Sequence, residues 1–216
     1  MSGGNASIGG AVLADTANVT LNNCVFDGNI AEAGNGGAVW VNGGNLIITG
    51  GYFFNNSASE SGGAVYALDA GLIIQQEVLF ENNTAAEGGA LYCGRQSVAL
   101  STTARFVLCS LSAVEFVGNS ASEGSLLTWL KSRGGAATFW NAEVNITNSV
   151  FERNFAGRMG GAVYGGTDTD IIVDGCYFQY NSVNAHGAAI AASSMTVLGN
   201  TELSSNVAED SGGGVS

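Results

Sequence analysis

Residues 26–40 read FDGNIAEAGNGGAVW. A Phe is followed three residues on by Asn, and then by Gly-Gly-Ala-Val. The same order returns as FFNNSASESGGAVY at 53–66 and as FENNTAAEGGALY at 80–92. A fixed order of residue types at a fixed step is the mark of a repeat architecture.

Phe-x-x-Asn begins at Phe26, Phe53, Phe80, Phe116, Phe151 and Phe178, with Leu203 in the last copy. Successive Phe are 27, 27, 36, 35 and 27 residues apart. Gly-Gly-Ala type signatures begin at Gly9, Gly36, Gly62, Gly88 and Gly160, with degenerate copies read at Gly124, His186 and Gly212. Before each Phe lies a short run such as NLIIT or DIIV, apolar on alternate residues, which is the pattern of a strand with one buried face. No Leu lattice and no helical period accompanies it. Short strands, many glycines and a repeat in the mid-twenties specify an all-β parallel β-helix of about seven coils, each paired to the last about 4.8 Å away.

Stacking gives each repeated residue a task. The Phe positions form an interior aromatic column. Asn29, Asn56, Asn83, Asn119, Asn154, Asn181 and Asn206 form an amide ladder, since each amide both donates and accepts. Gly-Gly permits a tight bend, and the following Ala is small enough to face inward. The chain reads as a single domain over 1–216, a segment of a longer solenoid, because neither terminus resembles the polar cap of such a fold.

These two signatures resemble the repeats of the polymorphic outer membrane proteins of chlamydiae, and the resemblance runs along nearly the whole chain. It implies a right-handed parallel β-helix. It also implies an extracellular, outer-membrane or cell-surface location, an autotransporter passenger and a role in adhesion.

Composition sets limits of its own. Gly accounts for 33 of 216 residues, Pro is absent, and charged residues make up only 11%, about half the usual share. The formal net charge of −12 argues against nucleic acid as a partner. No apolar run is long enough for a membrane-spanning helix. The N-terminus has no basic region followed by an apolar stretch, so it is not a secretory signal.

Where repetition fails, two longer coils carry insertions read at about 93–106 and 128–141, expected on the same side of the solenoid. Arg95, Arg105, Trp129, Lys131, Arg133 and Trp140 fall there and form the candidate binding site. Loops on a rigid scaffold concentrate function, and Trp with Arg suits an interaction hot spot or sugar stacking. Glu32, Glu60, Glu87 and Glu123 approach a vertical row with Arg158 next in line, read as a solvated edge. Asp168, Asp170 and Asp174 lie in TDTDIIVD and read as turn residues. His186, the sole His, is read as replacing a signature Gly. Cys24 and Cys176 lie five coils apart, beyond disulfide reach. Cys93 and Cys109 flank the first insertion, and whether they pair is left open. No catalytic residue, metal site or cofactor is expected.

The resulting expectation is a non-enzymatic surface or secreted segment, an adhesin-like binding scaffold or rigid spacer whose partner is a protein or glycan at a cell surface. The alternative is a carbohydrate-active β-helix protein, acting as a lyase or hydrolase or binding carbohydrate.

Overall fold

A computed structural model describes residues 1–96, 106–122 and 131–215. It is an all-β parallel solenoid of about seven turns. Each coil contributes strands to three faces. The first face is built from two-residue strands that follow the repeated Asn, running from Asn5–Ala6 through Ser57–Ala58 to Val207–Ala208 in one eight-stranded sheet. The second follows Gly-Gly-Ala and includes Val39–Asn42, Val65–Leu68, Leu91–Gly94 and Ala137–Trp140. The third carries the alternating run and ends on the repeated Phe, as in Asn45–Phe54, Gly71–Glu81 and Val107–Val117. Pairing between coils is parallel throughout the described strands, and it sets like residues over like: Phe26 over Phe53, Leu46 over Leu72, Val39 over Val65.

The core follows from that register. Phe26, Phe53, Phe80, Phe116, Phe151 and Phe178 are fully buried. Successive ring centroids lie 4.8, 4.8, 4.9, 4.9 and 4.6 Å apart with their planes nearly parallel. The repeat distance of a parallel sheet is therefore also a stacking distance, so ring contact adds to area burial. Beside this column, Leu46, Ile48, Leu72 and Ile74 fill the interior from the third face. Cys93 and Cys109 are both interior and are joined by a disulfide. It closes the first insertion across 16 residues, and a loop of that length corresponds to about 3 kcal/mol of unfolded-state restriction. Cys24 and Cys176 carry free thiols.

The repeated Asn side chains join coil to coil. Asn83 Nδ2 donates to the Phe53 carbonyl at 2.9 Å and to Asn119 Oδ1 at 3.0 Å. Asn83 Oδ1 accepts from the N–H and the Nδ2 of Asn56, both at 3.0 Å. The pattern repeats from Asn29 to Asn206. From Asn56 to Asn181 both donors and both acceptor positions of each amide are used, which is what a fully buried Asn requires.

The corner just before each ladder Asn is left-handed in every coil. Gly28, Asn55, Asn82, Gly118, Arg153, Tyr180 and Ser205 occupy it with φ between 53° and 62°. Gly and Asn adopt this conformation readily, whereas a bulky side chain there costs about 1–2 kcal/mol. Tyr180 is 54% exposed, and among the described residues its ring meets Arg153, 5.8 Å from the ring centroid. Tyr180→Asn is therefore expected to stabilise the fold by about 0.5–1 kcal/mol, raising Tm by roughly 2–3 °C in a thermal melt. An unchanged or lower Tm would show that the ring contact outweighs the backbone strain.

Two expectations about the coils are corrected by the register. The Gly-Gly-Ala of the fifth coil is Gly134-Gly135-Ala136. Gly88 N–H donates to the Arg133 carbonyl and Gly134 N–H to the Met159 carbonyl, each at 2.9 Å, which aligns Gly134 with Gly88 and Gly160. Gly124, which lies outside the described residues, stands at the spacing from Phe116 that Gly88 keeps from Phe80, but a longer segment intervenes in this coil. The second insertion therefore falls between Ser120–Ala121 and Gly134, before the second face, while the first leaves after Leu91–Gly94. They emerge at different corners rather than on one side. His186 likewise does not replace a signature Gly. It bridges Met159 and Ser211, and the left-handed Gly187 follows it.

Candidate functional site

The second face presents an outward column of Trp40, Tyr66, Tyr92, Thr138 and Tyr164. The rings of Tyr66 and Tyr92 stack at 4.8 Å, and those of Trp40 and Tyr66 at 6.5 Å. Thr138 interrupts the column with a small residue. Two positions on, at the end of Ala137–Trp140, Trp140 fills the vacated space and meets Tyr164 edge-on, with centroids 5.6 Å apart and planes at 61°. Gly166 lies directly beneath it: a Cβ there would come within 2.2 Å of Trp140 Cε3.

The corner beside this column begins the second face. In successive coils it stacks Ser61, Glu87, Arg133, Met159 and His186. Glu87 is only 8% exposed. Its Oε1 accepts from Trp140 Nε1 at 3.0 Å and lies 3.9 Å from Arg133 Nη1. The Arg133 guanidinium carbon sits 5.5 Å from the Trp140 ring centroid and 5.1 Å from that of Tyr164. Lys131, at the exposed rim, pairs with Glu60 at 3.7 Å. The arrangement is a cation held against two aromatic rings over a buried carboxylate, a geometry in which cation–π attraction is strengthened by partial desolvation.

Of the residues singled out in the sequence, the structure brings Lys131, Arg133 and Trp140 into this cluster. Trp140 belongs to a strand of the second face and not to a loop, because the fifth coil starts that face at Gly134. Arg95 lies at the end of the face away from Arg133: its N–H donates to the Trp140 carbonyl at 3.0 Å, while its side chain turns to Asp69 of the preceding coil, 3.7 Å away. Arg105 and Trp129 lie outside the described residues. Glu87, Tyr164 and Thr138 were not singled out for this site, since only the register of neighbouring coils shows that they meet Arg133 and Trp140.

The acidic row is corrected in the same way. Glu60 does not align with Glu87: the residue bridged to Glu87 in the preceding coil is Ser61, which leaves Glu60 level with Ala86. Glu87 is not a solvated edge residue: Trp140 and Arg133 cover it. Burial holds its carboxyl above the ordinary 4.5, against the opposing pull of the Trp140 hydrogen bond and the Arg133 and Lys131 charges. Burial first, and then the charges of Glu60, Glu87 and Asp69, push the Tyr66 hydroxyl up to about 12. A carboxyl with a raised folded-state pKa binds its proton more tightly folded than unfolded. Its stabilising contribution is present at low pH and is lost as pH rises from about 4.5 through the raised value. Glu87→Gln keeps an acceptor for Trp140 and removes this loss. Melts across pH 4 to 7 are expected to show the variant gaining on wild type as pH rises, and a constant difference would contradict the burial argument.

Asp168, Asp170 and Asp174 are exposed near a register shift of the third face. Among the described residues no group of three His, Cys, Asp or Glu is placed to hold a metal ion, and no helix is long and apolar enough to cross a membrane.

No curated protein and no solved structure matches the chain. The model of the Chlamydia polymorphic membrane protein repeat matches at residues 23–42, 50–68 and 77–94. Each match contains a third-face Phe or its flanking strand, a ladder Asn and a Gly-Gly-Ala corner. Three successive coils of this chain are thus similar to the Chlamydia polymorphic membrane protein repeat, and they stack in a parallel β-helix.

Proposed function

We propose that the chain is a rigid segment of a surface protein, and that it acts as an adhesin-like scaffold binding a protein or glycan at a cell surface. The coils supply a stiff frame, and the second face supplies the contact. The observation that carries this reading is the convergence of Arg133, Trp140, Tyr164 and Lys131 at one corner of a protein of formal net charge −12. Aromatic residues and Arg are the residue types that dominate binding hot spots, and rigid strands hold them without an ordering cost on association. The surface location rests on the repeat family and the fold together.

The test is binding of the fluorescently labelled chain to cultured epithelial cells, with Arg133→Gln and Trp140→Ala compared at matched fold, checked by circular dichroism and melting. Each variant is expected to weaken binding by about tenfold or more, the loss typical of a hot-spot residue. Unchanged binding by both would remove this corner from the function.

A further inference from the structure

We infer that the Arg133 corner is a receptor for the carboxylate of an acidic sugar, with the Arg133 guanidinium as the fork and the aromatic column as the wall for the sugar ring; this rests on the reading of the chain as a binding scaffold.

Among the described residues the Arg133 guanidinium is held by ring and charge contacts rather than by hydrogen bonds. Its Nε is buried without a hydrogen-bond partner, and Nη1 lies 3.9 Å from Glu87 Oε1, beyond hydrogen-bond reach. With Nε enclosed, the donors left to a ligand are those of the two terminal nitrogens, a planar pair matched to two carboxylate oxygens. Trp140 and Tyr164 fix the plane of that fork, and Trp140 is itself fixed by its bond to Glu87. The orientation is therefore set before a ligand arrives, which lowers the ordering cost of binding. Glu87 and Glu60 balance Arg133 and Lys131 in formal charge, so the corner does not add to the repulsion that the acidic protein exerts on an anion.

The surroundings favour a sugar over an acidic peptide. A peptide commonly docks on β-structure by adding a strand to a free edge. Here Leu91–Gly94 and Ala137–Trp140 are each paired on both sides, to Val65–Leu68 and to each other, and onward to Val163. Among the described residues no strand edge is open at this corner. What it offers instead is aromatic surface beside phenol hydroxyls, in Tyr92 and Tyr164, next to a charged fork. That combination takes an apolar ring face, polar hydroxyls and a carboxylate together.

The test uses short probes, because a long polyanion would be repelled by the chain as a whole. A galacturonic acid hexamer and sialyllactose are titrated into the purified chain by calorimetry, beside the methyl-esterified hexamer and lactose. At least one acidic sugar is expected to bind tenfold or more tightly than its neutral counterpart. Arg133→Gln is expected to erase that difference, and Arg133→Lys to recover only part of it, since an ammonium cannot form the fork. Asp27→Asn, on the coil of Phe26 and paired in register with Phe54, is expected to leave it unchanged. Equal binding of acidic and neutral sugars would overturn the proposal, as would no binding of either. Equal binding of hexaglutamate and the acidic sugars would overturn the sugar assignment. If cell binding still depends on Arg133 and Trp140 while both acidic sugars fail, the ligand class falls and the scaffold reading stands. If cell binding is also indifferent to these residues, both fall.

Discussion

Asn83→Ala is expected to lower the folding free energy by about 4–6 kcal/mol, a large part of the total stability of an ordinary domain. The argument is a count of orphaned groups. The substitution removes one amide and strands three partners: the Asn56 N–H and one Asn56 Nδ2 hydrogen lose their acceptor, and the Phe53 carbonyl loses its donor. Each is fully buried, and each unsatisfied buried group costs about 1–3 kcal/mol. Water entering the vacated space reduces the sum without abolishing it. Asn206→Ala supplies the comparison. Asn206 makes bonds of the same kind to Asn181 and Phe178, but it is only half-buried, so water replaces the lost partners and about 1–2 kcal/mol is expected. Urea unfolding of both variants measures the contrast. A loss below about 1 kcal/mol at Asn83 would show that the ladder is decoration on a fold held by its apolar core alone.

The ladder and the Phe column are legible in the sequence because stacking turns a one-dimensional period into vertical contact. A residue repeated at the coil step meets its own copies, so its chemistry can be read without knowing any other part of the fold. The candidate corner depends on the opposite case. Glu87, Arg133 and Trp140 come from coils of unequal length, and they meet only if Gly134 is aligned with Gly88. The spacing from Phe116 selects Gly124 instead, which moves the second insertion across the corner and places Trp140 in a loop. Glu87 then reads as one more exposed acid after a ladder Asn, like Glu60. Its burial comes from residues 46 and 53 positions later in the chain, Arg133 and Trp140, and no local pattern announces them. Lys131, Arg133 and Trp140 stand out because they fall in the stretch where the repeat is interrupted and because Trp with Arg suits a hot spot; that Arg133 and Trp140 meet Glu87 and Tyr164 follows only from the register.

Gly63→Ala is expected to cost more than about 4 kcal/mol, although Gly63 has ordinary negative φ and Ala is the smallest side chain that can be added. The obstacle is contact. A Cβ at Gly63 would lie 2.0 Å from the Gly89 carbonyl oxygen, 2.5 Å from the Thr84 carbonyl oxygen and 2.7 Å from its carbon, all backbone atoms of the next coil. Thr84 belongs to the first face and Gly63 to the start of the second, so the two faces converge here until no side chain fits between them. Gly37, Gly89, Gly135 and Gly161 repeat the geometry, each with a backbone oxygen of the next coil within 2.3 Å. The two glycines of the signature therefore serve different needs: Gly62 supplies φ of +64°, and Gly63 supplies the absence of a side chain. Gly28→Ala separates the causes. Gly28 has φ of +62° and nothing within 4 Å of its Cβ position, so only the backbone term applies, about 1–2 kcal/mol. Ala188 stands at the position of Gly63 in a later coil, where the Ala162 N–H is shared between the carbonyls of Ala188 and Ala189 and the register is less sharply set. If Gly63→Ala unfolds in urea no more easily than Gly28→Ala, the pinch yields as it does at Ala188, and backbone contact does not restrict this position to glycine. If Gly63→Ala fails to fold while Gly28→Ala folds, backbone contact between two faces is what restricts this position to glycine.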